Sequence, residues 1–277
     1  MENSVVTYGE HSITPRGDYA HCAADYTCTQ DWAAYTPEQH DRYARLFAAR
    51  MRNIETEAAP EFVQALANLG DGRAIPRFDL VSARLEQATR WQLVAVPGLI
   101  PEPDFFALLA TRRFPVTNWL REEREFDYVV EPDVFHDYFG HVPLLFNPVF
   151  ADYMQAFGAG GVRATQLAHE EPPAFAHALE MLARLYWYTV EFGLIRTPDG
   201  LRCYGAGLLS SPAEPAHALR QNASKPGYLP FDLERVMRTP YHIDSYQDNY
   251  FFIGNFEELF TATAQDFAPI YRRLQSA

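Results

Sequence analysis

The first chemical signal in this chain comes from two histidines. In the run Glu131-Pro132-Asp133-Val134-Phe135-His136-Asp137-Tyr138-Phe139-Gly140-His141-Val142-Pro143, His136 and His141 stand five residues apart among apolar and aromatic side chains. Imidazoles in such a setting are either metal ligands or hydrogen-bonded core residues, and for the pair alone the core reading is favoured, because short motifs often match by chance. On a continuous α-helix, residues five apart point about 140° away from each other, so this is not the His-Glu-x-x-His of a zinc-protease helix. Local signals start a helix at Pro132 and Asp133, where a missing N–H costs nothing and a negative charge suits the dipole. Gly140 is expected to take the left-handed conformation and Pro143 to push Val142 out of the α region, ending the helix between Phe139 and Val142. With the helix broken there, His141 can swing back until both rings aim at one point.

A carboxylate further on changes the balance. In Leu185-Tyr186-Trp187-Tyr188-Thr189-Val190-Glu191-Phe192-Gly193-Leu194, Glu191 lies among aromatic and aliphatic neighbours, with Arg184 seven residues back and Arg196 five on. A buried carboxylate without a cationic partner is either neutral or bound to a cation; the other reading is a surface position on the polar stripe of the helix. Two imidazoles and one carboxylate with open positions opposite make the facial triad of non-haem Fe(II) oxygenases. A zinc hydrolase built on the same ligands, with Asp137 as its only local general base, stays open, as does a metal-stabilised binding protein without turnover.

Together with Tyr204-Gly205-Ala206-Gly207-Leu208-Leu209-Ser210-Ser211, these two runs resemble the three signature segments of the pterin-dependent aromatic amino acid hydroxylases, in particular the short bacterial members that act on phenylalanine. The similarity runs from about Thr29 to about Glu258. The resemblance implies that His136, His141 and Glu191 hold one Fe(II), that tetrahydrobiopterin is the reductant and O₂ the co-substrate, and that an aromatic amino acid is hydroxylated on its ring. It places the pterin against Gly98, Leu99 and Ile100, stacked on Phe105, near Tyr186 and Ala206. Animal members have two serines where this chain has Pro101 and Glu102, and a glutamate at Asp137, so looser or water-mediated pterin contacts are expected. Arg121 matches the arginine that pairs with the substrate carboxylate, a role its planar fork fits, and Tyr128, Trp187, Phe192, Gly207 and Ser210 match other pocket residues. Val129 replaces a polar threonine of the animal pocket.

Two positions bear on the substrate. Tryptophan hydroxylases place a phenylalanine where this chain has Trp187, and tyrosine hydroxylases an aspartate where it has Ile243. An apolar wall leaves a phenol hydroxyl unpaired, at about 1–3 kcal/mol, while it accepts a bare phenyl ring. The resemblance therefore implies conversion of L-phenylalanine to L-tyrosine, with tyrosine or tryptophan hydroxylation as alternatives. The animal regulatory domain and coiled-coil tail have no counterpart here, so a monomer is expected, its pterin recycled by a separate enzyme.

The whole chain is consistent with this. Its 277 residues can bury a sizeable core, and no linker, repeat or low-complexity tract divides them. A net charge of −13 argues against nucleic-acid or anionic-membrane partners. No signal-peptide pattern opens the chain and no apolar run is long enough to span a bilayer, so a cytoplasmic location is expected. The three cysteines Cys22, Cys28 and Cys203 do not suggest a disulfide framework.

The elements that must position these groups follow from local signals. Residues 1–35 lack a period and read as an arm, pinned by Tyr19, Tyr26 and Trp32, with the catalytic domain over 36–277. Thr36-Pro37-Glu38-Gln39 reads as a capping box opening a helix, a short helix follows Pro60, and another runs from Asp79 to Thr89. Trp91 to Val96 and Phe114 to Leu120 read as strands flanking a turn at Pro97–Ile100 and a helix to Ala110. A helix from Val149 is expected to close at Gly158 to Gly161, and one long helix to run from Pro172-Pro173 to Glu191. A hairpin over Gly193 to Tyr204 is expected to turn at Asp199-Gly200, and Asn255 to cap the final helix. The sum is a mainly α single domain with short β-hairpins.

Overall fold

The computed structural model describes residues 6–8, 11–13, 16–127, 129–220, 226–243 and 245–275. Most of the chain is helical, with small sheets, as the patterning predicts. The Pro37–Met51 helix opens on the expected reciprocal cap: the Thr36 side chain accepts from the Gln39 N–H and the Gln39 side chain from the Thr36 N–H. The arm is more ordered than its lack of period suggests, since Val6–Tyr8 and His11–Ile13 pair antiparallel.

Gln92–Val96 and Arg113–Thr117 pair in parallel, because the Glu102–Ala110 helix carries the chain back between them. The second strand is shorter than predicted, ending at Thr117. A four-stranded mixed sheet places Leu194–Thr197 between Gly200–Cys203 and Asn249–Ile253, with Gly227–Pro230 at its edge. Thr197 pairs with Gly200, so the hairpin turns at Pro198 and Asp199, one residue earlier than predicted; Gly200, with φ +107°, is the first paired residue.

Three helical predictions are corrected. The helix from Pro148 runs on to Glu170 through Gly158 and Gly161 instead of closing there. These glycines let it approach the Glu102–Ala110 helix: a Cβ at Gly158 would lie 2.6 Å from the Leu109 Cβ, and one at Gly161 would overlap the Phe106 ring. The expected long helix from Pro172 is two pieces, Pro172–Phe175 and Ala178–Tyr186. The first turn docks elsewhere, its buried Phe175 ring lying edge-on to Tyr271. Asn255 caps Phe256–Thr263 as read, but a further helix, Ala268–Gln275, follows it.

Aromatic residues back the histidine-bearing turn. Phe135 and Phe139, one above the other, stack at 5.1 Å, with Tyr43, Phe47 and Phe62 edge-on around them. Pairs of this kind each add about 0.5–1.5 kcal/mol beyond their burial and hold the turn rigid. Among the described residues no helix is long and apolar enough to cross a membrane.

Candidate metal centre

The helix carrying His136 does not end at Gly140. His136–His141 forms a π-helical turn that passes directly into Val142–Leu145, with Pro143 in its first turn. In the wider i→i+5 register, residues five apart fall near one face, so both imidazoles point the same way without a break. Gly140 serves packing instead of a left-handed cap: a Cβ there would lie 2.9 Å from the Ala206 Cβ. A second π-turn, Trp187–Glu191, extends the Ala178–Tyr186 helix and closes on a bond of 2.8 Å from the Phe192 N–H to the Trp187 carbonyl. Two register shifts thus aim three side chains at one point.

There the two Nε2 atoms are 3.3 Å apart, and the Glu191 carboxylate lies 3.2 Å from His141 Nε2 and 3.5 Å from His136 Nε2. Three donors each about 2.1 Å from a common ion, at right angles, would be about 3 Å apart, so the set fits one metal ion. The Ser210 hydroxyl lies 2.8 Å from His136 Nδ1; with a metal on Nε2 the ring proton would sit on Nδ1 and be donated to that hydroxyl. Burial opposes charge on both His136 and Glu191. Glu191, with Asp137 and Asp133, outweighs it at His136 and raises that ring, while His141 and His136 hold Glu191 far below the usual carboxylate range.

Asp137 also lies near the histidines, within 4.8 Å on the shortest ligand-atom separations. One of its oxygens accepts the Thr117 N–H at 2.8 Å, and burial, against the pull of both histidines, raises its pKa. Glu191 rather than Asp137 lies within 3.5 Å of both imidazoles, which makes it the carboxylate placed to share an ion with them. A carboxyl occupied by backbone is a poor general base for a hydrolase.

The triad sits in the wall of a cavity of about 780 Å³, large enough for two small molecules. Gly98, Leu99, Ile100, Phe105, Asp137 and Tyr186 line it, as do Arg121, Trp187, Phe192, Gly207, Ser210 and Ile243. Ala206 does not line it, being packed on Gly140, and Tyr128 lies outside the described residues. Phe105 is half-buried, edge-on to Tyr186 at 5.5 Å, between the Gly98–Ile100 loop and the triad. Trp187 is sandwiched between Tyr241 at 4.4 Å and Phe192 at 4.6 Å.

Two residues of the site escape sequence reasoning. Asp133, read only as a first-turn charge, is fully buried and grips Arg121 bidentately, with both bonds at 2.8 Å, while accepting the Arg121 and His136 N–H groups at 2.9 and 3.0 Å. Burial works against its charge, but Arg121 prevails and its pKa falls below the usual value. Glu214 lines the cavity with no sequence signal beyond its place after Ala213. Burial, against a weaker pull from Tyr250, pushes it up to about 7.

The fold is that of one enzyme class: residues 10–275 match the biopterin-dependent aromatic amino acid hydroxylase model, and the chain belongs to that family. Among its relatives, the phenylalanine-4-hydroxylase of Chromobacterium violaceum is 51% identical over 93% of this chain and 84% of its own length. That of Ralstonia nicotianae is 51% identical over 90% and 77%. The cobalt-bound crystal structure of the Chromobacterium violaceum enzyme superposes with a TM-score of 0.87 at 50% identity, covering 93% of this chain and 90% of that one. Its structure with iron and phenylalanine superposes at 0.83, with the same identity and coverage.

Proposed function

We propose that this chain is a monooxygenase that converts L-phenylalanine to L-tyrosine with O₂ and tetrahydrobiopterin at a mononuclear Fe(II). The observation that carries this is the convergence of His136, His141 and Glu191 at the wall of a cavity that also holds an arginine fork and an apolar ring site. When bound, Fe(II) and the pterin would supply the O₂ activation, the pterin giving the two electrons that reduce the oxygen atom not transferred to the ring.

The chain supplies position and environment. Asp133 fixes the Arg121 guanidinium through Nε and Nη2, leaving Nη1, otherwise 3.4 Å from the Phe126 carbonyl, to receive the substrate carboxylate. Because the same Asp133 accepts the His136 N–H, carboxylate anchor and metal ligand are held in one frame. Trp187, Phe192 and Ile243 enclose the phenyl ring and keep water from it; Gly207 and Ser210 complete the substrate pocket. Gly98, Leu99, Ile100 and Phe105 hold the pterin, with Tyr186 and Asp137 nearby. Ile243 offers a phenol no hydrogen bond, which favours phenylalanine over tyrosine, and the bulk of Trp187 disfavours an indole. The enzyme works as a cytoplasmic monomer, and a separate enzyme restores its pterin. Comparing kcat/KM for phenylalanine, tyrosine and tryptophan with one pterin tests the substrate: phenylalanine should lead, and a preference for either other amino acid overturns the choice. Light scattering tests the monomer.

A further inference from the structure

The Pro97–Ile100 loop is gripped from outside by the arm. The Leu99 carbonyl accepts from Tyr19 Oη at 2.7 Å, and the buried Glu131 carboxylate packs on the same loop, 2.9 Å from where a Cβ on Gly98 would stand. The same carboxylate accepts the Arg16 N–H, at 3.1 and 3.0 Å to its two oxygens, so arm and loop share one anchor. The Arg16 guanidinium pairs with Glu125 and lies over the Trp119 ring at 4.9 Å. Between these fixings Gly17, at φ +103°, presses so closely on the loop that a Cβ would overlap the Pro97 carbonyl. A Cβ on Gly98 would in turn lie 2.7 Å from the Arg16 carbonyl and 2.9 Å from Tyr19 Oη. Further along, the Cys28 N–H donates to the Ala95 carbonyl at 2.8 Å, and Tyr26 packs on the small apolar cluster of Val96, Ile100 and Leu108.

An arm needed only to cover apolar surface would not have to bond a loop carbonyl and seat its own backbone on the buried carboxylate that packs against the same loop. We infer that residues 16–19 are a strap that sets the height of the Gly98–Ile100 loop over the cavity, with Tyr19 as a positioning residue for the pterin. This rests on the reading that the loop and Phe105 hold the pterin. With the strap in place, the loop's inward face is fixed before the cofactor arrives, and less ordering is left to binding.

The test uses iron-loaded full-length protein under anaerobic conditions, with pterin affinity measured by titration calorimetry beside steady-state kinetics and melting temperature. Tyr19→Phe removes one neutral hydrogen bond and leaves the ring in place. It should weaken pterin binding about fivefold, the effect of one such bond. Iron content, KM for phenylalanine and kcat at saturating pterin should stay at wild-type values. Gly17→Ala, which pushes on the loop instead of releasing it, should weaken pterin binding in the same selective way. Phe105→Leu serves as the control on the underlying reading and should weaken pterin binding on its own. If Phe105→Leu weakens the pterin and neither arm variant does, the loop holds the cofactor but the strap inference is wrong. If none of the three does, the loop reading falls and the strap with it. Equal losses in pterin, phenylalanine and iron affinity would make the arm a general stabiliser and also overturn the inference.

Discussion

Glu214 should make the stability of this protein fall as the pH rises from 5 to 8. Glu214 is 9% exposed in the cavity wall, and burial raises its carboxyl to about 7, whereas a glutamate in an unfolded chain titrates near 4.3. Between those values the folded state holds a proton that the unfolded state has lost. The stabilisation is therefore complete below about pH 4.3 and disappears as the pH passes through about 7. The gap corresponds to a difference of about 2–3 kcal/mol between pH 5 and pH 8. Other groups titrate across this range as well, so the informative quantity is the difference between wild type and Glu214→Gln, which keeps the shape and loses the titration. Urea unfolding of the iron-loaded protein at pH 5, 6.5 and 8 measures it. The wild type should lose about 2–3 kcal/mol more than the variant on going to pH 8. Parallel curves would show that Glu214 is solvated, and that its burial has been misjudged.

Replacing Arg121 with Met should cost about 3–5 kcal/mol in urea unfolding, because it leaves the buried Asp133 charge unpaired. The double variant Arg121→Met, Asp133→Asn should regain most of that stability and none of the phenylalanine affinity; recovery of KM would deny Arg121 its role as carboxylate anchor. Gly161→Ala places a methyl against the Phe106 ring and should lower stability by about 1–3 kcal/mol with the iron content unchanged, and a neutral result would mean that the two helices yield freely.

Much of the site was readable in the sequence because its residue types have few other uses where they stand. Two imidazoles and a carboxylate inside apolar runs ask for a cation, and the structure brings all three together. The means of convergence was not readable. A π-turn has no propensity signal separate from that of an α-helix, so Gly140 and Pro143 looked like a helix end, when in fact Gly140 makes room for Ala206 and Pro143 begins the next turn. Gly158 and Gly161 misled for the same reason: close helix packing and chain termination both call for glycine, and only the neighbouring helix distinguishes them. The partnership of Arg121 with Asp133 spans twelve residues across a loop and follows no helical or strand period. Their shared anchoring of substrate and metal ligand becomes visible only once the fold has closed.

The most direct test of the account is product formation by protein purified without oxygen and loaded with Fe(II). With phenylalanine, O₂ and tetrahydrobiopterin present, it should form tyrosine. Omitting the pterin or replacing iron with zinc should abolish this, and so should substituting Ala for any one of His136, His141 or Glu191, each of which should also lose tightly bound iron. Tyrosine formation that persists without pterin, or a triad variant that keeps wild-type iron and rate, would contradict it.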